Sequence, residues 1–324
     1  MGHKRAFTLM AVMTATVSVL SACGAGSAGS PDTARPVAQN KPLVDKANWP
    51  KATPQRGLAK GLSLPLEDYM QSYADTVTLD DAARHLQEKC MADYGFDVRL
   101  TVAGATPPPN DNDANMERRY GLTDREAAQK YGYGLPEELT DQPRQKVPDL
   151  SEEQVEVLTG HSKPTKVGPD GAPVVKKAPA TYKGKQIHAK GCIGDADSKL
   201  GKSAIDFQLV SELNGQSFLQ SMQVPAVKEA LGAWSRCMKG KGYTAATPTD
   251  SAALVQHTDP ASQQEIDIAL AEIDCKQETD LVDIWFKEET KIQKQQIADH
   301  KAELTTAKEK NTKAVAAADA ALKS

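Results

Sequence analysis

Apolar residues recur every three or four positions through most of the chain beyond residue 78, the period of helices with one buried face. Leu79, Ala82, Ala83, Leu86 and Cys90 form one such stripe over 78–93. Asp80 and Asp81 fall in its expected first turn, where carboxylates suit the helix dipole. Thr123-x-x-Glu126 reads as a capping box opening a short helix to Tyr131, and Ser151-x-x-Gln154 as another, closed by Gly160. Helix is expected again near Asp195. A further helix is expected from Pro225 to Lys239, with the proline in its first turn and Val227, Ala230, Leu231, Trp234 and Met238 on its buried face.

From Ala261 onward there is neither Pro nor Gly. Ile266, Leu270, Ile273, Leu281, Ile284, Trp285 and Ile292 predict one long helix, broken at most once. Past residue 298 the stripe thins to Ala with a few Leu or Val. Residues 299–324 are therefore expected to be a charged, Ala-rich helical tail, poorly docked on the rest. The tail lacks the sustained a/d positions of a coiled coil. The fold class this predicts is mainly α: an irregular, disulfide-stapled helical domain over 62–298 with a long C-terminal helix.

Two stretches break the pattern. Residues 101–115, with Pro107-Pro108-Pro109 and Asn110-Asp111-Asn112-Asp113, read as a loop. Residues 160–190 hold seven Lys, one Asp, four Pro and four Gly, a net +6. They read as a basic loop or a small hairpin around Pro169-Asp170-Gly171.

The N-terminus has a different logic. Lys4 and Arg5 precede an uncharged, largely apolar run over 6–20, which ends in Leu20-Ser21-Ala22-Cys23. The run is too short to span a bilayer and suits a signal peptide over 1–22. The tetrapeptide resembles a bacterial lipobox. There a cysteine thiolate takes a diacylglyceryl group and becomes the first residue after cleavage, chemistry that needs sulfur at that position. Two acyl chains exceed the single-chain threshold for stable anchoring. Residues 23–61, rich in Gly, Ala, Ser, Pro and Lys, read as a lipid-anchored disordered tether with an r.m.s. reach of about 33 Å. Trp49, isolated within it, is expected to dock on the domain rather than dip into the membrane interface.

With Cys23 assigned to lipid, four cysteines remain, and in an exported protein they favour two disulfides. Three connectivities are open. An internal echo, Cys90-Met91-x-x-x-Gly95-Phe96 against Cys237-Met238-x-x-x-Gly242-Tyr243, suggests two related halves, each a cysteine-bearing helix joined to the next cysteine. That reading pairs Cys90 with Cys192 and Cys237 with Cys275.

Composition narrows the function classes. The chain has 39 Lys+Arg against 43 Asp+Glu, and without residues 1–22 the balance becomes −6. A mildly acidic chain with 5% aromatics lacks the electrostatic footprint of a nucleic-acid binder. No metal or cofactor is expected. Cysteine separations exceed those of zinc motifs, and His188 and Cys192, four apart, lie in a loop around Gly191. Asp111-x-Asp113-x-Asn115 opens like a calcium loop, but Met116 and Leu122 occupy its required Gly and Glu places. Zincin, nucleophile-elbow and P-loop motifs are absent. Trp234 and Trp285 are expected in the core, packed near a disulfide.

The lipobox, the tether, Arg118-Arg119-Tyr120-Gly121, Tyr131-Gly132-Tyr133-Gly134-Leu135-Pro136, Gly191-Cys192, Ala233-Trp234-Ser235-Arg236-Cys237-Met238 and Asp274-Cys275-Lys276 together resemble the uncharacterised lipoproteins of actinomycetes, the high-GC Gram-positive bacteria. The resemblance spans residues 1–300 or so. It implies attachment at the extracytoplasmic face of the cell membrane and a cysteine framework, and it carries over no functional residue beyond Cys23. The expected function is a non-enzymatic envelope module that binds an unidentified protein partner. A small-ligand-binding lipoprotein serving a transporter and an extracytoplasmic enzyme without a recognisable motif are the alternatives. Lys163, Lys166, Lys176, Lys177, Lys183, Lys185 and Lys190 either rest on anionic lipid or wall polymer or form a solvated loop that balances an acidic domain.

Overall fold

In the computed structural model, residues 46–136, 139, 145–168 and 171–324 are described. The expected signal peptide, Cys23 and the first part of the tether lie outside them, as do Pro169 and Asp170 of the expected hairpin turn. The elements are α1 (Tyr73–Asp93), α2 (Arg125–Tyr131), α3 (Glu152–Thr159), the two-residue strands β1 (Lys166–Val167), β2 (Pro173–Val174), β3 (Thr181–Tyr182) and β4 (Lys185–Gln186), then α4 (Gly191–Leu200), α5 (Gln208–Ser221), α6 (Pro225–Gly240), α7 (Pro248–Ser251), α8 (Gln263–Glu278), α9 (Leu281–Asp299) and α10 (Lys301–Ala321). The fold is mainly α. The strands form two separate antiparallel ribbons, β1–β2 and β3–β4.

The core is built around α6. Pro225 occupies its first turn, where no intrahelical partner is needed for the missing N–H. Its buried face is Val227, Ala230, Leu231, Trp234 and Met238, as the periodicity predicts. Against that face pack Ile268, Ala271 and Cys275 of α8 and Leu281, Val282 and Trp285 of α9. A smaller cluster joins Cys90 and Met91 of α1 to Val157 and Leu158 of α3 and Cys192 of α4. A third packs Leu79, Ala82 and Ala83 of α1 on Leu200 of α4 and on Ala314 and Ala318 of α10.

Local signals explain the ends. Ser151 and Gln154 form the expected capping box of α3, and Gly160 closes it in a left-handed turn. The helix at 125 is capped differently. Asp124 accepts from the N–H groups of Glu126 and Ala127, while the Thr123 hydroxyl donates to Glu117 O. Helix α1 begins at Tyr73 rather than Thr78, because Ser72 caps it. Its first turn holds Asp75, and Asp80 and Asp81 pair instead with Lys202 and Arg84.

Three further expectations change. The run after Ala261 is broken twice rather than at most once, into three helices that end in the long C-terminal helix α10. Asp280 takes a left-handed φ of 51° between α8 and α9, a conformation short polar side chains tolerate, and the turn lets both helices pack on α6. A second break at His300 starts α10. That tail is docked: Leu304, Ala314 and Ala318 are buried. Alanine is a weak hydrophobic signal in sequence, yet a face of small residues lets α10 lie closely on Ala82 and Ala83 of α1. Finally, the stretch from 46 to 61 belongs to the body. Ala59 is buried, Leu58 N–H donates to Thr123 O, and Trp49 lies edge-on to Tyr73 at 5.2 Å.

Candidate functional site

The structure joins Cys90 to Cys192 and Cys237 to Cys275, with Cα–Cα separations of 5.7 and 5.6 Å. The echoed motifs adopt one geometry. After Cys90, Gly95 has φ +85° and Phe96 N–H donates to Met91 O at 3.0 Å. After Cys237, Gly242 has φ +94° and Tyr243 N–H donates to Met238 O at 2.9 Å. Each is a glycine cap with a six-residue closing bond and an aromatic folding back on the last turn. Trp234 and Trp285 are buried beside the second disulfide. Trp285 is stacked on Phe218 and tilted against Tyr120.

The seven candidate lysines lie on and beside the two ribbons. In the first, Lys166 stands opposite Val174 and Val167 opposite Pro173, and every ladder residue is exposed. The second turns at Lys183 and Gly184, both at positive φ, a hairpin turn that the lysine disguises in sequence. Tyr182 anchors this second ribbon against Phe96, with ring centroids 4.9 Å apart. Lys163 pairs with Asp149, Lys185 donates to Asp93 O and Lys183 lies over the Tyr182 ring. Among the described residues, Lys166, Lys176, Lys177, Lys183 and Lys190 have no carboxylate within ion-pair distance.

The residues best equipped for chemistry are elsewhere, in buried polar networks that periodicity does not reveal. Arg119 donates to Glu289 through Nε at 3.0 Å and Nη2 at 2.5 Å, and to the carbonyls of Ala114 and Asn214 at 2.9 Å each. Glu289 also accepts from the Tyr120 hydroxyl at 2.8 Å and from Ser217 Oγ at 2.7 Å. Gln293 extends this network, donating to Ser217 Oγ and accepting from Leu66 N–H. A second network centres on Glu272. It accepts from Lys276 Nζ, from Leu122 N–H at 2.9 Å and from the Tyr133 hydroxyl at 2.7 Å. Burial pushes the Lys276 pKa down and those of Tyr120 and Tyr133 up, the latter two reinforced by the carboxylates that face them.

Arg118 completes the brace by donating to the carbonyls of Tyr133 and Gly134. Glu265 accepts from Tyr133 N–H at 2.9 Å and lies 2.7 Å from His257 Nδ1. Burial raises the Glu265 pKa, but the hydrogen bonds from His257, Tyr133 and Thr258 outweigh it and hold the group below the ordinary carboxylate value. The two motifs Arg118–Gly121 and Tyr131–Pro136 are thus fastened to α8 and α9. The signal for this was present but ambiguous. Glu265, Glu272, Glu289 and Gln293 interrupt the apolar stripe at helical spacing, and the Arg-Arg-Tyr motif supplies their donors. The stripe itself is rotated, so Ile266, Leu270 and Ile292 are only half-buried.

The loop at 101–115 is tied to the helices by its carboxylates. Asp111 accepts from Tyr73 N–H at the start of α1, and Asp113 accepts from Ser211 Oγ of α5. Asn112 donates to Glu67, whose other oxygen is buried without a hydrogen-bond partner among the described residues. Burial pushes Glu67 up to about 7. Beside this loop lies a groove of about 270 Å³ whose lining includes Met70, Gln71, Asp111, Asp113, Phe207 and Ser211. Among the described residues, no group of three or more His, Cys, Asp or Glu side chains is placed to hold a metal ion, and no helix is long and apolar enough to cross a membrane.

The chain matches no protein-family model, no curated protein and no solved structure.

Proposed function

We propose that this chain is an envelope lipoprotein. Cys23 carries the diacylglyceryl anchor, and the helical body stands at the extracytoplasmic face of the cell membrane as a non-enzymatic binding module for another envelope component. The observation that carries the reading is the pair of disulfides. Crosslinks of this kind persist in oxidising compartments and are rare in the cytosol, and here they close long segments of a body that already has its own apolar core. The buried Arg, Lys, Tyr and Glu side chains support the non-enzymatic part, because each is engaged in holding a loop to a helix. The test is metabolic labelling with radioactive palmitate. Wild type incorporates label and Cys23→Ala does not; equal labelling of the two, or a wild-type chain that stays in the cytosol, overturns the proposal. Crosslinking in intact cells, with mass spectrometry of the captured species, then identifies the partner.

The groove beside Asp111 and Asp113 favours a second reading, a lipoprotein that binds a small cationic ligand for a transporter. Its volume lies just under the usual 300–1,000 Å³ of ligand sites. Saturable binding of a cationic metabolite, lost in Asp113→Asn, would support it.

A further inference from the structure

We infer that the β1–β2 ribbon is a membrane-surface contact that seats the face bearing Val167 and Pro173 at the headgroup boundary of an anionic bilayer and its lysines on the lipid phosphates. The inference rests on the lipoprotein reading above and adds which surface of the body faces the bilayer.

A two-stranded ribbon on its own is marginal in water and gains stability from packing against something. The β3–β4 ribbon packs through Tyr182 on the Cys90 cluster. Among the described residues, the β1–β2 ribbon is held at its base, by Ser162 N–H to Lys176 O, Lys176 N–H to Ser162 Oγ, Ala178 N–H to Gly160 O and the His161–Lys177 bridge. Beyond that base its apolar side chains are bare: Val167 is 70% exposed, Val174 39% and Val175 40%. Successive strand residues point to opposite faces. One face therefore carries Lys166 with Val174 and the other Val167 with Pro173. Val167, exposed among lysines that lack carboxylate partners among the described residues, matches an interface with apolar depth and negative charge together. Lysine stems lie along such a surface while their ammonium groups reach phosphate. Charge complementarity selects the anionic bilayer. The anchor keeps it near, because the chain between Cys23 and Lys46 spans at most about 80 Å even when fully extended.

The test uses mature protein purified from membranes, with the acyl mass on Cys23 verified, reconstituted into vesicles. Val167→Trp places a reporter at the most exposed valine of the ribbon, where no core packing is disturbed. In vesicles containing brominated phosphatidylglycerol its emission shifts to the blue and is quenched beyond the wild-type background. In brominated phosphatidylcholine alone it is not. Adding Lys166→Gln and Lys176→Gln weakens seating by about fivefold per lysine, and raising the salt weakens it further. Acylated protein with no excess quenching in phosphatidylglycerol overturns the ribbon assignment alone, and equal quenching in both lipids overturns its electrostatic basis. A blue shift produced by a soluble poly(glycerol phosphate) and not by vesicles assigns the ribbon to wall polymer and overturns the bilayer. Absence of acyl mass overturns the lipoprotein reading and the ribbon's role with it.

Discussion

At the ends of α1 and α6 the same seven-residue pattern makes the same turn, yet the two turns sit in different company. Met238 and Trp234 lie in the largest apolar cluster, between α8 and α9, and Cys275 closes the site from a neighbouring helix. Met91 is as fully buried, but its cluster is small and is assembled from the short helix α3, the start of α4 and the β3–β4 ribbon. The difference teaches that local sequence determines the cap, while the burial behind it is supplied by whatever the rest of the chain brings. It also predicts that the Cys90 end leans on its crosslink more than the Cys237 end does.

Removing each disulfide as a Cys→Ala pair tests this most directly. Cys90 and Cys192 are 102 residues apart and Cys237 and Cys275 are 38 apart. In the chain-entropy account the longer loop contributes about 4.7 kcal/mol and the shorter about 3.9 kcal/mol, both upper values. Denaturant melts should rank them in that order; the reverse order would mean that the core half depends on its crosslink for packing.

The next effect belongs to the core half alone. Arg119→Met leaves Glu289 buried without its charged partner, and global stability should fall by about 3 kcal/mol or more. The Met91 amide should keep its relative hydrogen-exchange protection within the variant if the Cys90 end opens as a separate unit. Equal loss at Met91 and Met238 would join the two ends into one cooperative block.

Gly95→Ala and Gly242→Ala probe the caps themselves. Neither position has an atom near the added Cβ, so only the left-handed backbone resists, at about 1–2 kcal/mol each. Equal losses would show that the caps are energetically alike despite their settings.

Glu67→Gln, away from both ends, has an effect that depends on pH. Glu67 is held at about 7, above its ordinary 4.5, so the folded chain binds a proton that the unfolded chain has released between those values. Stability therefore declines as pH rises from about 4.5 to about 7. The variant should raise Tm at pH 8 and leave it nearly unchanged at pH 4.

What could be read from the chain before folding followed the strength of its signals. Helix α6 was legible because four large apolar residues and Ala230 fall on one face with a proline at the start, and α3 because its capping box stands just before an apolar pair. The start of α1 was not, since Ser72 precedes a turn whose buried members are Tyr73 and Val77 among polar neighbours. The docking of α10 was hidden because alanine contributes little area per residue. The candidate lysines were legible as a charge run, but the bare valines among them mattered only once register showed which neighbours share a face. The buried Glu, Arg and Lys side chains read as surface until the loop motif and the helices were brought together.

The clasp between α10 and α1 has a temporal consequence. Asn311 bonds to Gln71 and Asp75 at the head of α1, and the Gln71 contact closes over 240 residues. A chain made at about 5–20 residues per second takes roughly 12–48 s to deliver the missing half of that clasp. Throughout that interval the Leu79, Ala82 and Ala83 stripe has only the α4 side of its cover, so the face that α10 will occupy stays open on the newborn polypeptide until that helix is made.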